Sequence, residues 1–383
     1  MHDVVIVGAG PVGGALALAL ADADLDIVAV DARAAGGTLR GDRSLALSHG
    51  ARLIFERLAV WPRLAAVAGA VTPILEIDIS QAGGFGVTRL VAEEQGLPAL
   101  GYVVSYRALQ AAIDDALLRT GIDVRFGVAA ASVAGSAADV AVALAGDAGT
   151  LRARLAVVAD GTGTAVTGIA RHQRDYGQVA LIARVGMQGP HRGVAFERFT
   201  PEGPVALLPE GDHYGLVWTM TPAKAESMLA ASDDEFLSAL AHDFGTRVSG
   251  FARVADRRTF PLRLEFARPT VAPRSVVIGN AAQALHPIAG QGFNLGLRDA
   301  HELGQAIIRA PQAALGGDPM LTAFAARRRP DRYASIAFTH GLARIFATDA
   351  PLLRWPRGLA LTLLDAVPPM KKAFTRAMLF GIS

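Results

Sequence analysis

The chain reads as an α/β protein in which a Rossmann-like, mostly parallel sheet carries an inserted, mostly antiparallel sheet and is followed by C-terminal helices. Three observations predict this. Residues 4–31 read VVIVGAGPVGGALALALADADLDIVAVD: an apolar strand, a glycine-rich turn, a helix and a second strand ending in an acid. Between Leu75 and Leu264 apolar residues alternate with polar ones in two separate blocks, the period of half-exposed strands. Residues 275–310 then return to a continuous apolar strand, a glycine-rich loop and an amphipathic helix.

In the opening unit, Val4 to Val7 form the unbroken apolar run of a parallel strand buried on both faces. Gly8 permits a tight turn, Gly10 lets backbone approach a pyrophosphate, and Gly13 lets helix and strand pack closely. Ala15 to Ala21 contains no helix breaker, and the helix N-terminus offers free N–H groups to phosphates. Ile27 to Val30 makes the second strand. Asp31, about twenty residues past Gly8, stands where a carboxylate accepts hydrogen bonds from a ribose. The unit calls for an adenine dinucleotide and does not separate FAD from NAD.

Next, the segment DRSLALS places Arg43 either near a pyrophosphate or flavin edge or in a solvated loop. Arg52 to Leu64 reads as a helix. Leu75, Ile77 and Ile79 alternate with Glu76, Asp78 and Ser80, and Val87 to Val91 returns after a glycine turn. Ser105 to Arg119 is helical, with Leu109, Ile113 and Leu117 on one stripe. Arg107 lies in its first turn and Gln110 nearly one turn later. A helix N-terminus disfavours cations, so Arg107 either reaches outward to an anionic group or is a plain surface charge. Strands follow at Val124–Phe126, Val140–Leu144 and Leu155–Val158. The last leads into Asp160 and Gly161, at the strand end where open α/β sheets bind ligands; Asp-Gly is also a common turn pair.

The second alternating block places strands at Val179–Val185, Val194–Phe199, Val205–Leu208, His213–Met220 and Phe260–Leu264, with a helix over Asp234–Phe244. Its inward face offers Phe196, Phe199, Leu207, Pro209 and Trp218 to a ligand or to the core. Val276 to Ile278 is again a buried strand, turned by Gly279 and Asn280. In the loop from Pro287 to Gly292, Gly290 and Gly292 bracket Gln291, and a helix carrying Phe293, Leu297, Ala300, Gly304 and Ile307 follows, with Asn294 in its first turn. Backbone N–H groups in such a loop form a nest for negative charge, of the kind a reduced flavin carries. His286 reads as packing or surface rather than as an acid or base. Asp331 to Ala347 is a further helix. The tail from Pro351 to Ser383 sets Arg354, Arg357, Lys371, Lys372 and Arg376 against Asp365 alone, among many apolar residues. It either closes the protein's own core or lies on an anionic membrane.

Composition bounds the rest. The chain has 383 residues, 51% of them hydrophobic, with no cysteine and a net charge of +2. This excludes disulfides, thiolate catalysis and Cys-ligated metals, and offers no electrostatic footprint for nucleic acid. No apolar run reaches the ~18 residues of a membrane span. The first strand begins too early for a signal peptide, so a cytoplasmic location is expected, with a peripheral position at the inner membrane open.

With these residues in place, the sequence resembles the single-component aromatic flavoprotein monooxygenases, and among them the ubiquinone-biosynthesis hydroxylases of the 2-octaprenyl-6-methoxyphenol hydroxylase type. Three motifs stand in that family's order: Gly8-Gly10-Gly13 with Asp31, the Asp160-Gly161 pair, and GNAAQALHPIAGQGFNLGLRD from Gly279 to Asp299. Ala195 to Gly211, AFERFTPEGPVALLPEG, also matches. The wider family has Asp where this chain has Asn280. The resemblance implies an aromatic-hydroxylase-like fold. FAD-binding segments lie at 1–73, 101–171 and 268–345, a substrate domain at 74–100 and 172–267, and a helical tail at 346–383. It implies that Gly8, Gly10, Gly13, Asp31, Arg43, Arg107, Gln110, Asp160, Gly161, Gly279, Asn280, Gly292, Phe293 and Asn294 surround FAD. Pro287, Gly290, Gln291 and Gly292 face the flavin ring; no acid or base is assigned and no metal is expected. NAD(P)H would reduce FAD, and O2 would add at flavin C4a to give a hydroperoxide that delivers OH to a prenylated phenol. The implied partners are that substrate, other ubiquinone-biosynthesis proteins and a membrane surface. The alternatives are a hydroxylase of a small soluble aromatic and an FAD-binding assembly subunit.

Overall fold

The computed structural model describes residues 1–37, 44–146, 148–161, 163–248, 250–285, 290–346 and 351–382, with backbone alone at 343–346 and 351–354. Its first sheet is built on Thr150–Val158. That strand pairs in parallel with His2–Val7 on one side and with Ser275–Val277 on the other, where its first half instead pairs antiparallel with Val140–Leu144. His2–Val7 continues in parallel to Ile27–Asp31, and that strand to Asp123–Phe126. Val4 to Val7 are fully buried because helices cover one face and the antiparallel arm the other. The carboxyl ends of these strands bring Gly8, Asp31, Asp160 and Gly279 to one edge of the sheet.

The second sheet has eight strands, antiparallel except where Val194–Thr200 runs parallel to Glu76–Gln81. Its longest members, Ala170–Met187 and Phe251–Arg268, extend well past the expected 179–185 and 260–264. Their ends are rich in Arg, Gln and Asp, which hides the strand period but not the ladder. A small third sheet, Ser44–Ser48, Gly101–Ser105 and Val71–Ile74, was not expected at all.

Other elements also differ from expectation. The first helix runs over Pro11–Ala19, not to Ala21, and starts with Pro at its first position. The single helix expected over Arg52–Leu64 is two, His49–Arg57 and Trp61–Ala65, because Ala59 takes φ +55° and Pro62 opens the second. The helix expected from Asp331 is the second half of Asp318–Phe346, which continues through Pro330. Asp233–Phe244 has its N-terminus set by a capping box between Ser232 and Glu235.

The tail is two helices, Pro351–Ala366 and Pro368–Phe380, and they dock on the protein itself. Thr88 Oγ1 donates to Leu361 O at 2.8 Å, Arg89 N to Asp365 at 3.1 Å, and Ile382 N to Asp331 at 3.1 Å. Glycines allow the close approach: a Cβ on Gly86 would sit 2.3 Å from Gly358 O, and one on Gly50 2.6 Å from Leu379 O.

Candidate active site

The glycine-rich turn is held from several directions. Gly8, at φ +97°, donates to Val30 O at 2.7 Å, and a Cβ there would meet Asp160 Cα at 2.7 Å. A Cβ on Gly13 would lie 1.9 Å from Gly8 O, so this glycine serves helix packing. Gly10 caps the first helix with no side-chain partner, and a Cβ there would meet nothing within 4 Å. The space in front of that helix end is open.

Asp31 has a structural task that the ribose expectation did not include. Its two oxygens accept Ala9 N and Arg33 N, each at 2.7 Å, tying the turn to the second strand. Gln110, buried, donates to Ala9 O at 3.0 Å and to Asp114 at 2.8 Å, while its Oε1 has no partner. Arg33 closes the ring with two bonds to Asp114, at 2.7 and 3.1 Å. Arg33 and Asp114 were not singled out from sequence; the Asp-x-Arg spacing at the strand end was the available signal.

Asp160 lies exposed beside Gly8 and accepts Thr164 N at 2.9 Å and Thr164 Oγ1 at 2.5 Å. Gly161, at φ +93°, faces open space. Arg107 is exposed in the first turn of Tyr106–Leu117, whose N-cap is Ser105. Gly279 turns at φ +62° against Val12, and Asn280 is exposed in the same turn. Arg43, His286 and Pro287 lie outside the described residues.

Gly290 takes the left-handed conformation, φ +58°, at the head of the helix Gln291–Arg309. Behind it the Asn294 amide accepts Ser48 N at 2.9 Å and donates to Ala46 O and Gly290 O at 3.1 and 2.8 Å. Asn294 therefore fastens the loop to the strand Ser44–Ser48. The Phe293 ring stacks on Phe55 in the core, 6.3 Å between centroids. Gly292 has room for a side chain, with no atom nearer than 3.8 Å.

Gly290 and Gln291 open onto a cavity of about 570 Å³. One wall is the second sheet, where Ile79, Glu197, Ala206 and Val217 form a single cross-strand row. Another wall is the tail, through residues such as Leu361, Phe374 and Met378. Of the five residues expected to face a ligand, Phe199 does; Phe196, paired with Leu207, packs with Leu207 and Trp218 on the opposite face of the sheet, against Tyr214, Phe236 and Phe244, and Pro209 is not among the lining residues. Both faces of this sheet are covered, so alternation alone does not say which one meets the cavity. Glu197 keeps part of its surface open to the cavity, and burial among apolar groups pushes its carboxyl up to about 8.

Open space before an uncapped helix end, a glycine turn braced from behind and a buried Gln110 oxygen awaiting a donor fit a dinucleotide's pyrophosphate and ribose.

Comparison with known proteins agrees. Residues 1–337 match the FAD binding domain family. The chain is 33% identical to ubiquinone hydroxylase UbiL of Rhodospirillum rubrum, over 98% of this chain and 88% of the relative. It is 29% identical to 3-demethoxyubiquinol 3-hydroxylase of Escherichia coli, over 97% and 96%. The structure of p-nitrophenol 4-monooxygenase from Pseudomonas putida shares the fold, with a TM-score of 0.77, 16% identity and coverage of 100% and 99%. The chain is an FAD-dependent aromatic monooxygenase and belongs to the ubiquinone-biosynthesis flavin hydroxylase family.

Proposed function

We propose that this protein hydroxylates the ring of a prenylated phenol in ubiquinone biosynthesis, with NAD(P)H and O2 as co-substrates. The observation that carries the reading is the apolar cavity of about 570 Å³ that begins at Gly290 and Gln291 and runs beneath the tail helices. A ring and the first isoprene units match its apolar lining, whereas a small hydrophilic aromatic would leave most of that lining unused.

FAD, when bound, supplies the redox chemistry of hydride acceptance and oxygen activation. The chain's residues bind, orient and exclude water. The turn Gly8–Gly10 and the helix behind it receive the pyrophosphate, with Asp31 and Gln110 holding that turn in shape. Asp160, Gly161, Gly279 and Asn280 lie along the same sheet edge and flank the rest of the cofactor. Arg107 lies at the exposed start of the neighbouring helix. The backbone at Gly290–Gly292, opening a 19-residue helix, would offer its N–H groups to negative charge on the flavin. The apolar walls keep water from diverting oxygen into hydrogen peroxide.

The test is NAD(P)H oxidation by the FAD-loaded protein with 2-geranyl-6-methoxyphenol. The expected result is stimulated oxidation and a product heavier by one oxygen atom. Unstimulated oxidation and an unchanged phenol would sink the reading.

The outer face of the tail supports peripheral membrane contact. Trp355, Leu359 and Leu363, spaced four apart, are 74%, 53% and 46% exposed, with Lys372 and Arg376 exposed on the next helix. Among the described residues no helix is long and apolar enough to cross a membrane. Replacing Trp355, Leu359 and Leu363 together by Ser should lower co-sedimentation with anionic liposomes several-fold without changing FAD content; unaltered co-sedimentation would remove this role. This replacement leaves the docked tail in place, which a deletion would not.

A further inference from the structure

Glu197 is a carboxylic acid where the packing pattern calls for an apolar residue. It sits in the row Ile79–Glu197–Ala206–Val217, and its three row-mates face the same cavity. The long helix adds Phe338 and Leu342 to the lining, and the tail adds Leu361 and Leu364. Its chain neighbour Arg198 does not turn toward it: Arg198 donates to Asp243 O at 2.6 Å and to Ser80 Oγ at 3.3 Å. On the adjoining strand, Asp78 is engaged by Arg247 at 3.1 Å. Among the described lining residues the one other ionisable group is Arg357, on the tail. A carboxyl placed in such a wall costs stability, so a polar group of the ligand is its natural partner.

We propose that the Glu197 carboxyl recognises the substrate's phenolic hydroxyl and, as carboxylate, takes its proton while the ring is hydroxylated. This rests on the phenol-hydroxylase reading above. The phenolic O–H bond breaks and an O–H bond forms on Glu197. The freed electron pair enters the ring and makes the ortho and para carbons more nucleophilic toward the oxygen that the enzyme's flavin chemistry delivers. The oxygenated carbon then gives up its own proton, which goes to the second oxygen atom of O2 as that atom leaves as water, and Glu197 returns the held proton to the phenolate oxygen, which restores both the aromatic ring and the carboxylate. A phenol ionises near pH ~10, and an acceptor raised to about 8 is better matched to it than an ordinary carboxylate near ~4.3.

The experiment is equilibrium binding of 2-geranyl-6-methoxyphenol and of its O-methyl ether to the FAD-loaded protein, read from flavin fluorescence between about pH 6 and about pH 9. Wild type, Glu197→Gln and Glu197→Leu are compared. Wild type should prefer the free phenol by about tenfold or more. Glu197→Leu should lose that preference, and Glu197→Gln, whose amide oxygen can accept the hydroxyl but not its proton, should keep only part of it, both keeping FAD and their affinity for the ether. The kcat/KM for hydroxylation should rise through about pH 8 in wild type and lose that limb in Glu197→Gln. Equal binding of phenol and ether by wild type overturns the assignment, as does a preference and pH profile retained by both variants. A preference lost with Glu197, alongside a wild type that makes no oxygenated product, would support recognition by Glu197 and overturn the hydroxylase reading instead.

Discussion

Gly13→Ala should unfold well below wild type and purify without FAD, whereas Gly10→Ala should fold normally and fail only in FAD retention. The two glycines belong to one motif but meet different neighbours. A Cβ on Gly13 lies 1.9 Å from Gly8 O, a backbone atom in a turn that Val30 O and Asp31 hold fast. Neither side can yield, so the first helix must move off the sheet. Overpacking of this kind costs about 3 kcal/mol or more where backbone is the obstacle. A Cβ on Gly10 meets no protein atom within 4 Å, and Gly10 has an ordinary φ of −65°. Its substitution leaves the apo-protein within about 0.5 kcal/mol of wild type and fills space in front of the helix end. Urea unfolding of the apo-proteins and flavin content after purification check both. A Gly13→Ala protein as stable as wild type would contradict the packing argument, and a Gly10→Ala protein that keeps FAD would contradict the assignment of that space.

Glu197→Gln should be more stable than wild type at alkaline pH and lose its advantage in acid. Burial in the apolar cavity raises the folded carboxyl to about 8 from its ordinary value of 4.5. Between those values the folded state binds the proton that the unfolded chain has released, so wild-type stability falls as pH rises. The contribution is fully present below about 4.5 and fully lost above about 8. At about 1.4 kcal/mol per unit, the loss is at most on the order of 5 kcal/mol, an upper bound because the cavity admits some water. The amide introduced by Glu197→Gln does not titrate, so the gap between the two unfolding curves should widen from about pH 4.5 to about pH 8 and then stay constant. Parallel curves across that range would mean that Glu197 is solvated. A residue retained at a cost in stability is what a functional group in a core looks like.

Much of the local structure around the glycine-rich segments is legible in the sequence. The glycine turn, its flanking strands and the helix from Gln291 are local features, set by glycine's backbone freedom and by the periods of strand and helix. What those residues touch was not legible. Asp31 reads as a ribose acceptor, yet it also clamps Ala9 and Arg33. Asn294 reads as a cofactor ligand, yet it binds Ser48, 246 positions away. Glu197 stands in a matched stretch without drawing notice, because alternation in a sheet covered on both sides does not say which face borders a cavity. The tail's basic and apolar composition suits a docked helix as well as a membrane anchor. The fold shows two helices docked by Thr88, Arg89 and Asp331, with Trp355 left outside. By itself, then, the sequence determined a dinucleotide turn and the alternation of two sheet types, since both are written in neighbouring residues. The tertiary structure alone decided the cavity, the Glu197 carboxylate in it and its helical wall, since each depends on contacts between segments far apart in the chain.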